Sequence, residues 1–95
     1  MNIDDFICLP DIIEKVAVKH HVTQDEAEDV FYNRPRYRFV EKGHRAGEDV
    51  YSVSGQTDSG RYLIVFFIYK RSAHTALILS ARDMDRKERK NYERK

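Results

Sequence analysis

Cysteine is almost missing from this chain: Cys8 is the single one in 95 residues. One thiol makes neither an internal disulfide nor a zinc cluster, so a reducing compartment is the simpler reading. Cys8 also lies in the apolar run Phe6-Ile7-Cys8-Leu9, where a small buried hydrophobe is expected rather than a nucleophile. Long apolar runs are missing too. The longest, Tyr62 to Tyr69, is far short of the ~20 residues that a helix needs to span a bilayer. The start, Met1-Asn2-Ile3-Asp4-Asp5, is acidic where a secretory leader would be basic. A cytoplasmic location without a membrane partner is therefore expected. There are no repeats, no low-complexity tract and no linker, so residues 1–95 read as one domain.

What is present is a modest core under a heavily charged surface. Hydrophobic residues make up 41% and charged residues 35%, which excludes a compositionally disordered chain. The net charge of +1 hides an uneven distribution. Residues 1–30 carry 2 Lys/Arg and 8 Asp/Glu, whereas residues 31–47 carry 5 and 1. Residues 48–81 balance at 3 and 3, and residues 82–95 carry 7 and 4. If the two basic segments meet, they form a face that attracts phosphate, with the acidic start turned elsewhere. Taken singly, each is equally well a solvated surface.

Pro10 suits a first helical turn, and Ile12, Ile13, Val16 and Ala17 follow at helical spacing, predicting a helix over 10–20. Thr23 and Glu26 form a capping box for a second helix striped by Ala27, Val30 and Phe31 and ending near Asn33. Arg34-Pro35 blocks further helix. Tyr37 and Phe39 then alternate with Arg36 and Arg38, as on a strand with one solvated face. After a turn-rich Glu41–Gly47 segment, Val50, Tyr51 and Val53 mark a second strand. Gln56 to Gly60 reads as a hairpin loop, Tyr62 to Tyr69 as a central strand buried on both faces, and Thr75 to Ser80 as a fourth strand. Asp83 or Asp85 caps a final, very polar helix running to about Arg94. The expected fold is α+β: two N-terminal helices, a four-stranded antiparallel sheet and a C-terminal helix.

The last third carries a resemblance. Ile78-Leu79-Ser80-Ala81-Arg82, then Glu88-Arg89 and Tyr92-Glu93, resembles the ending of the BrnT-like toxins. Gly55 with Gly60-Arg61-Tyr62-Leu63 is similar to that family's hairpin, and Lys19-His20-His21-Val22 to its Lys-His-Gly-Val segment. The pieces occur in one order over roughly residues 19–93. The resemblance implies a RelE-like fold, metal-independent RNA cleavage, and neutralisation by a DNA-binding antitoxin of the ribbon-helix-helix kind. It departs at Leu9, Ile12 and Val16, where the family has Asp, Lys and Asn, and His21 stands where it has Gly.

Metal-free RNA cleavage needs a base for the 2′-OH proton, an acid for the leaving oxygen and a cation for the phosphorane. His20 is the candidate for acid or base work. Lys19, Arg61 and Arg82 are candidates for charge stabilisation, and Glu88 for a base or for orienting an arginine. Arg86, Arg89 and Tyr92 would bind the RNA. Structural roles stand beside each: a helix-end imidazole, a strand flank, a surface ion pair, a packing ring. Arg82 ranks first because it closes the most recognisable motif. Adjacent His20 and His21 project differently, which argues against a metal site, and no cofactor is expected. The leading reading is a ribonuclease toxin acting on cellular RNA, with an antitoxin and a possible homodimer. Its rivals are a catalytically inactive interaction protein and a plain nucleic-acid-binding domain.

Overall fold

The computed structural model describes residues 1–94. Helix α1 (Pro10–His20) opens on its proline. It closes at His21, whose φ of 55 is left-handed. There the N–H of His21 bonds the Ala17 carbonyl and that of Val22 bonds the Val16 carbonyl. Helix α2 (Gln24–Asp29) has the expected capping box. The Glu26 N–H donates to Thr23 Oγ1 at 3.1 Å, and the Thr23 N–H to Glu26 Oε1 at 3.0 Å. It stops at Asp29, earlier than its apolar stripe suggests, because Val30 to Tyr32 tighten into turns. Those turns still bury Val30 and Phe31.

Four strands follow as an antiparallel meander: β2 (Arg36–Glu41), β3 (Glu48–Gln56), β4 (Tyr62–Lys70) and β5 (Thr75–Asp83). A further strand, β1 (Asp5–Ile7), precedes α1 and pairs parallel with β5, Asp5 opposite Thr75 and Ile7 opposite Leu77. The sheet order is β1-β5-β4-β3-β2. The expected four-stranded antiparallel sheet is thereby corrected to a five-stranded mixed one. Three residues hold too little pattern to read as a strand, and parallel pairing needs a partner far along the chain. The ring of Phe6 holds β1 in place, packed edge-on to Phe31 with centroids 4.9 Å apart.

One sheet face packs against α1 and α2. Val53, Leu63, Val65, Phe67, Ala76, Ile78 and Ala81 meet Val16, Val22, Ala27, Val30 and Phe31 there. Gly55 allows the close approach. A Cβ on it would lie 2.8 Å from the Val30 carbonyl oxygen and 3.1 Å from that of Asn33.

The other face is more polar. Cross-strand register sets Arg36, Ser54, Ile64 and Arg82 in one row, and Arg38, Ser52, Phe66 and Ser80 in the next. β4 is therefore central but alternates, its helix-facing Leu63, Val65 and Phe67 fully buried while Phe66 and Ile68 on the other face are half-buried. Helix α3 (Arg86–Glu93) lies over part of this face, capped by Asp85. Its anchor is Tyr92, which is buried and donates its hydroxyl to the Arg34 carbonyl at 2.9 Å. Tyr62 packs edge-on to that ring, and the guanidinium of Arg89 lies 3.9 Å from the Tyr62 centroid.

Candidate functional site

Arg82 and Asp83 are neighbours on β5, so their side chains leave opposite faces of the sheet. That alternation divides the candidate residues into two groups. Arg61 and the His20 end of α1 meet on the helix side, around Asp83, with Lys19 on the same last turn of α1. Arg82 and Glu88 face each other on the α3 side, with Arg86, Arg89 and Tyr92 on α3 itself.

The helix-side group centres on Arg61. Its Nε donates to Asp83 Oδ1 at 2.8 Å and its Nη2 to Oδ2 at 3.1 Å. Nη1 donates to the His21 carbonyl at 2.7 Å and reaches the Glu26 carboxylate at 3.3 Å. Nη2 also donates to the His20 carbonyl at 3.1 Å. A guanidinium has five N–H groups, and here every one has an acceptor within the protein. Arg61 thus ties the end of α1, the cap of α2 and the end of β5 together. Arg61 holds the Asp83 carboxyl below its ordinary range; the Thr23 amide, with Arg61 second, does the same for Glu26. Lys19 is exposed and His20 half-buried on the last turn of α1.

Arg82 is held differently. Nη1 and Nη2 donate to the two carboxylate oxygens of Glu88 at 2.7 and 2.9 Å. Nη1 also donates to the Asp83 carbonyl at 3.1 Å, and the guanidinium stands 5.7 Å from the Phe66 centroid. Two donors have no protein acceptor among the described residues, Nε–H and the second hydrogen of Nη2. They form a side-on fork, the same edge with which Arg61 grips Asp83. Glu88 is itself fixed, because its Oε1 accepts from the Asp85 amide at 2.9 Å in the capping box. Arg82, and then that amide, lower the Glu88 carboxyl below its ordinary value. Glu88 is thus ionised at neutral pH and a weak base.

Beside this pair a groove of about 470 Å³ opens between α3 and the β2–β3 floor. Arg36, Arg38, Ser52, Ser54, Glu88 and Asn91 line it. Arg36 and Arg38 were not among the candidates read from the sequence. Their signal was there in the alternation Arg36-Tyr37-Arg38-Phe39 and the basic excess of residues 31–47. The alternation along one strand does not tell that this solvated face also borders α3, where Arg36 and Arg38 join Glu88 and Asn91. Arg86 is exposed on the first turn of α3. Tyr92, whose edge borders the groove, is otherwise buried as the helix anchor. Burial raises the Cys8 thiol pKa, with Glu28 adding to the effect, so the thiol stays protonated. No described helix is long and apolar enough to cross a membrane. Among the described residues no three His, Cys, Asp or Glu side chains gather to hold a metal ion.

The model of one family, described as the ribonuclease toxin BrnT of a type II toxin–antitoxin system, matches residues 13–88. The chain belongs to the BrnT family. Membership indicates a ribonuclease toxin of a type II system, with an RNA target and an antitoxin partner. The resemblance in the Ser-Ala-Arg strand end and the hairpin is therefore real kinship. The BrnT match includes Lys19, His20, Arg61, Arg82, Arg86 and Glu88, and ends before Arg89 and Tyr92. No curated protein matches the chain. Ile12, which precedes the matched residues, and Val16, which lies within them, pack on the helix side of the sheet, Val16 within the core and Ile12 against it. The groove lies on the other side.

Proposed function

We propose that this BrnT-family chain cleaves RNA, without a metal ion, in the groove between α3 and the sheet, with Arg82 as the residue that holds the scissile phosphate. The observation that carries this reading is the donor count. Glu88, which lines the groove, fixes the Arg82 guanidinium by its end-on edge and leaves the planar Nε–Nη2 fork without an acceptor among the described residues. Arg61 has no N–H left to offer. A bound phosphate would take the Nε–H and Nη2–H of Arg82 without displacing Glu88. The 2′-hydroxyl gives its proton to solvent water as its oxygen bonds phosphorus, and the bond to the 5′-oxygen breaks, leaving a 2′,3′-cyclic phosphate and a 5′-hydroxyl that takes its proton from water. The negative charge that grows on the non-bridging oxygens meanwhile is what a pre-set guanidinium stabilises most. Arg86 and Arg89 would add charge along α3. His20 and Lys19, across the sheet, are left a part in the α1 end and its surroundings. An antitoxin of the ribbon-helix-helix kind would silence the protein by covering this groove.

A second reading keeps the fold and the antitoxin but not the cleavage. It is favoured by Ile12 and Val16, apolar where the family pattern is polar. One experiment separates the two. The wild type, Arg82→Ala and Arg82→Lys are induced in bacteria, and growth and total RNA integrity are followed. Purified protein is then assayed on RNA in excess EDTA. Growth arrest with RNA loss, persisting in EDTA and relieved by both substitutions, supports the proposal. Lysine keeps the charge and loses the fork, so toxicity retained by Arg82→Lys would refute the fork argument. Normal growth and intact RNA with folded wild-type protein would favour the non-catalytic partner.

A further inference from the structure

The groove holds a cation that the scissile-phosphate site does not use. Arg36 and Arg38 sit two residues apart on β2, on one face, so their backbones are about 7 Å apart. Directly across from them on β3 are Ser54 and Ser52, which bring hydroxyls and no negative charge. The chain has 16 carboxylates against 17 Lys and Arg, so acids are not scarce. Yet the single carboxylate lining this groove, Glu88, is bound through both oxygens to Arg82. Arg36 is partly engaged: it lies over the Tyr92 ring at 5.5 Å, with Nη1 at 3.5 Å from the Asn91 carbonyl. Arg38 is exposed and has neither a hydrogen-bond nor an ion-pair partner among the described residues. Register carries the row Arg38–Ser52–Phe66 straight toward the Arg82 guanidinium above Phe66. Two strand spacings, about 10 Å, separate the β2 and β4 backbones.

We infer that Arg38, flanked by Arg36 and the Ser52 and Ser54 hydroxyls, is a second phosphate subsite. It holds a backbone phosphate of the same single-stranded RNA at a position other than the one cleaved. The inference rests on the proposed placement of the scissile phosphate at Arg82. Its ligand chemistry is a phosphodiester and not a base edge: the groove presents cations and hydroxyls at a spacing suited to a repeating anion. The subsite adds affinity and fixes the polarity of the bound strand without reading sequence. Neighbouring like charges with no acid between them repel each other, and a polyanion relieves this.

The test is binding, so it does not depend on cleavage. An end-labelled eight-nucleotide RNA with 2′-O-methyl riboses has no free 2′-hydroxyl and stays intact. Its fluorescence anisotropy is titrated at several salt concentrations with wild type, Arg38→Gln and Arg82→Gln, each first checked for folding by circular dichroism. For a single strand, each phosphate neutralised contributes about 0.7 to the slope of log K against log salt. Arg38→Gln should lower that slope by about 0.7, while cleavage of a dinucleotide holding only the scissile phosphate stays unchanged. An unchanged slope in Arg38→Gln, beside a lowered slope in Arg82→Gln, would overturn the second subsite alone. It would assign the arginine pair to the protein partner. A dinucleotide cleaved more slowly by Arg38→Gln would overturn it as well, by moving Arg38 to the reacting phosphate. Wild type that neither binds the octamer nor cleaves RNA would overturn the functional reading and this inference together.

Discussion

Arg61 provides the sharpest test of how the two faces of the sheet divide the work. Replacing it with methionine keeps the apolar stem and removes all five donors. Two of the lost bonds go to the carbonyls of His20 and His21 at the end of α1, worth about 1 kcal/mol each. The ion pairs to Glu26 and Asp83 are partly exposed, Asp83 at 61%, and are worth about 0.5 kcal/mol each after screening. Arg61→Met should therefore cost about 3 kcal/mol. In a domain of this size each kcal/mol moves the melting temperature by about 4–8 °C, so a fall of about 15 °C is expected. The assay is thermal unfolding by circular dichroism, with RNA cleavage measured well below both melting points. There the variant should keep most of its activity.

Acid adds a second arm to the same experiment. Arg61 holds Asp83 below its unfolded value and helps to hold Glu26 there. A carboxylate with a depressed folded pKa stabilises above its unfolded pKa and loses that contribution as pH falls through the folded value. Unperturbed Asp and Glu titrate near pH ~4, so the gap between wild type and Arg61→Met should narrow as pH falls from 7 to about 3. A melting temperature within about 3 °C of wild type, with cleavage abolished, would refute the reasoning. It would return Arg61 to the chemistry.

Three further outcomes follow from the geometry. Arg82→Lys should fold normally and lose about 100-fold or more in RNA cleavage, read in a single-turnover assay, because one ammonium does not reproduce a planar fork. Gly55→Ala should destabilise by about 1–3 kcal/mol in chemical denaturation, since the new methyl meets the Val30 and Asn33 carbonyl oxygens, which belong to backbone and yield little. His21→Gly should raise the melting temperature by about 5 °C, because a left-handed φ of 55 costs a side-chain-bearing residue about 1 kcal/mol that glycine does not incur.

The elements with strong local signals were legible from the chain. Pro10, the Thr23 and Glu26 box and the Asp85 cap sit where the helices begin, because capping is satisfied within four residues of sequence. The meander was legible for the same reason: its turns are short and its strands alternate. β1 was not. Asp5-Phe6-Ile7 has no pattern of its own and becomes a strand only when Thr75 to Leu77 lies alongside. His21 shows the two kinds of information meeting. Its place in a Lys-His-Gly-Val-like segment marked the position, and the left-handed turn gives the reason a glycine is preferred there.

For the candidate site, residue types and neighbours along the chain were enough to nominate Arg82, Glu88, Arg61 and His20, and to place the chain among the BrnT toxins. Tertiary structure decided how they are grouped. Strand alternation sends Arg82 and Asp83 to opposite faces, so residues that look like one cluster in sequence become a clasp on one side and a groove on the other. The same alternation puts Arg36 and Arg38 on the sheet face that carries α3, far from Arg82 in sequence and on the same face in space. Periodicity along a strand says which residues share a face. Only the packing of helices on the two sides says which face holds the core and which is left open to a phosphate.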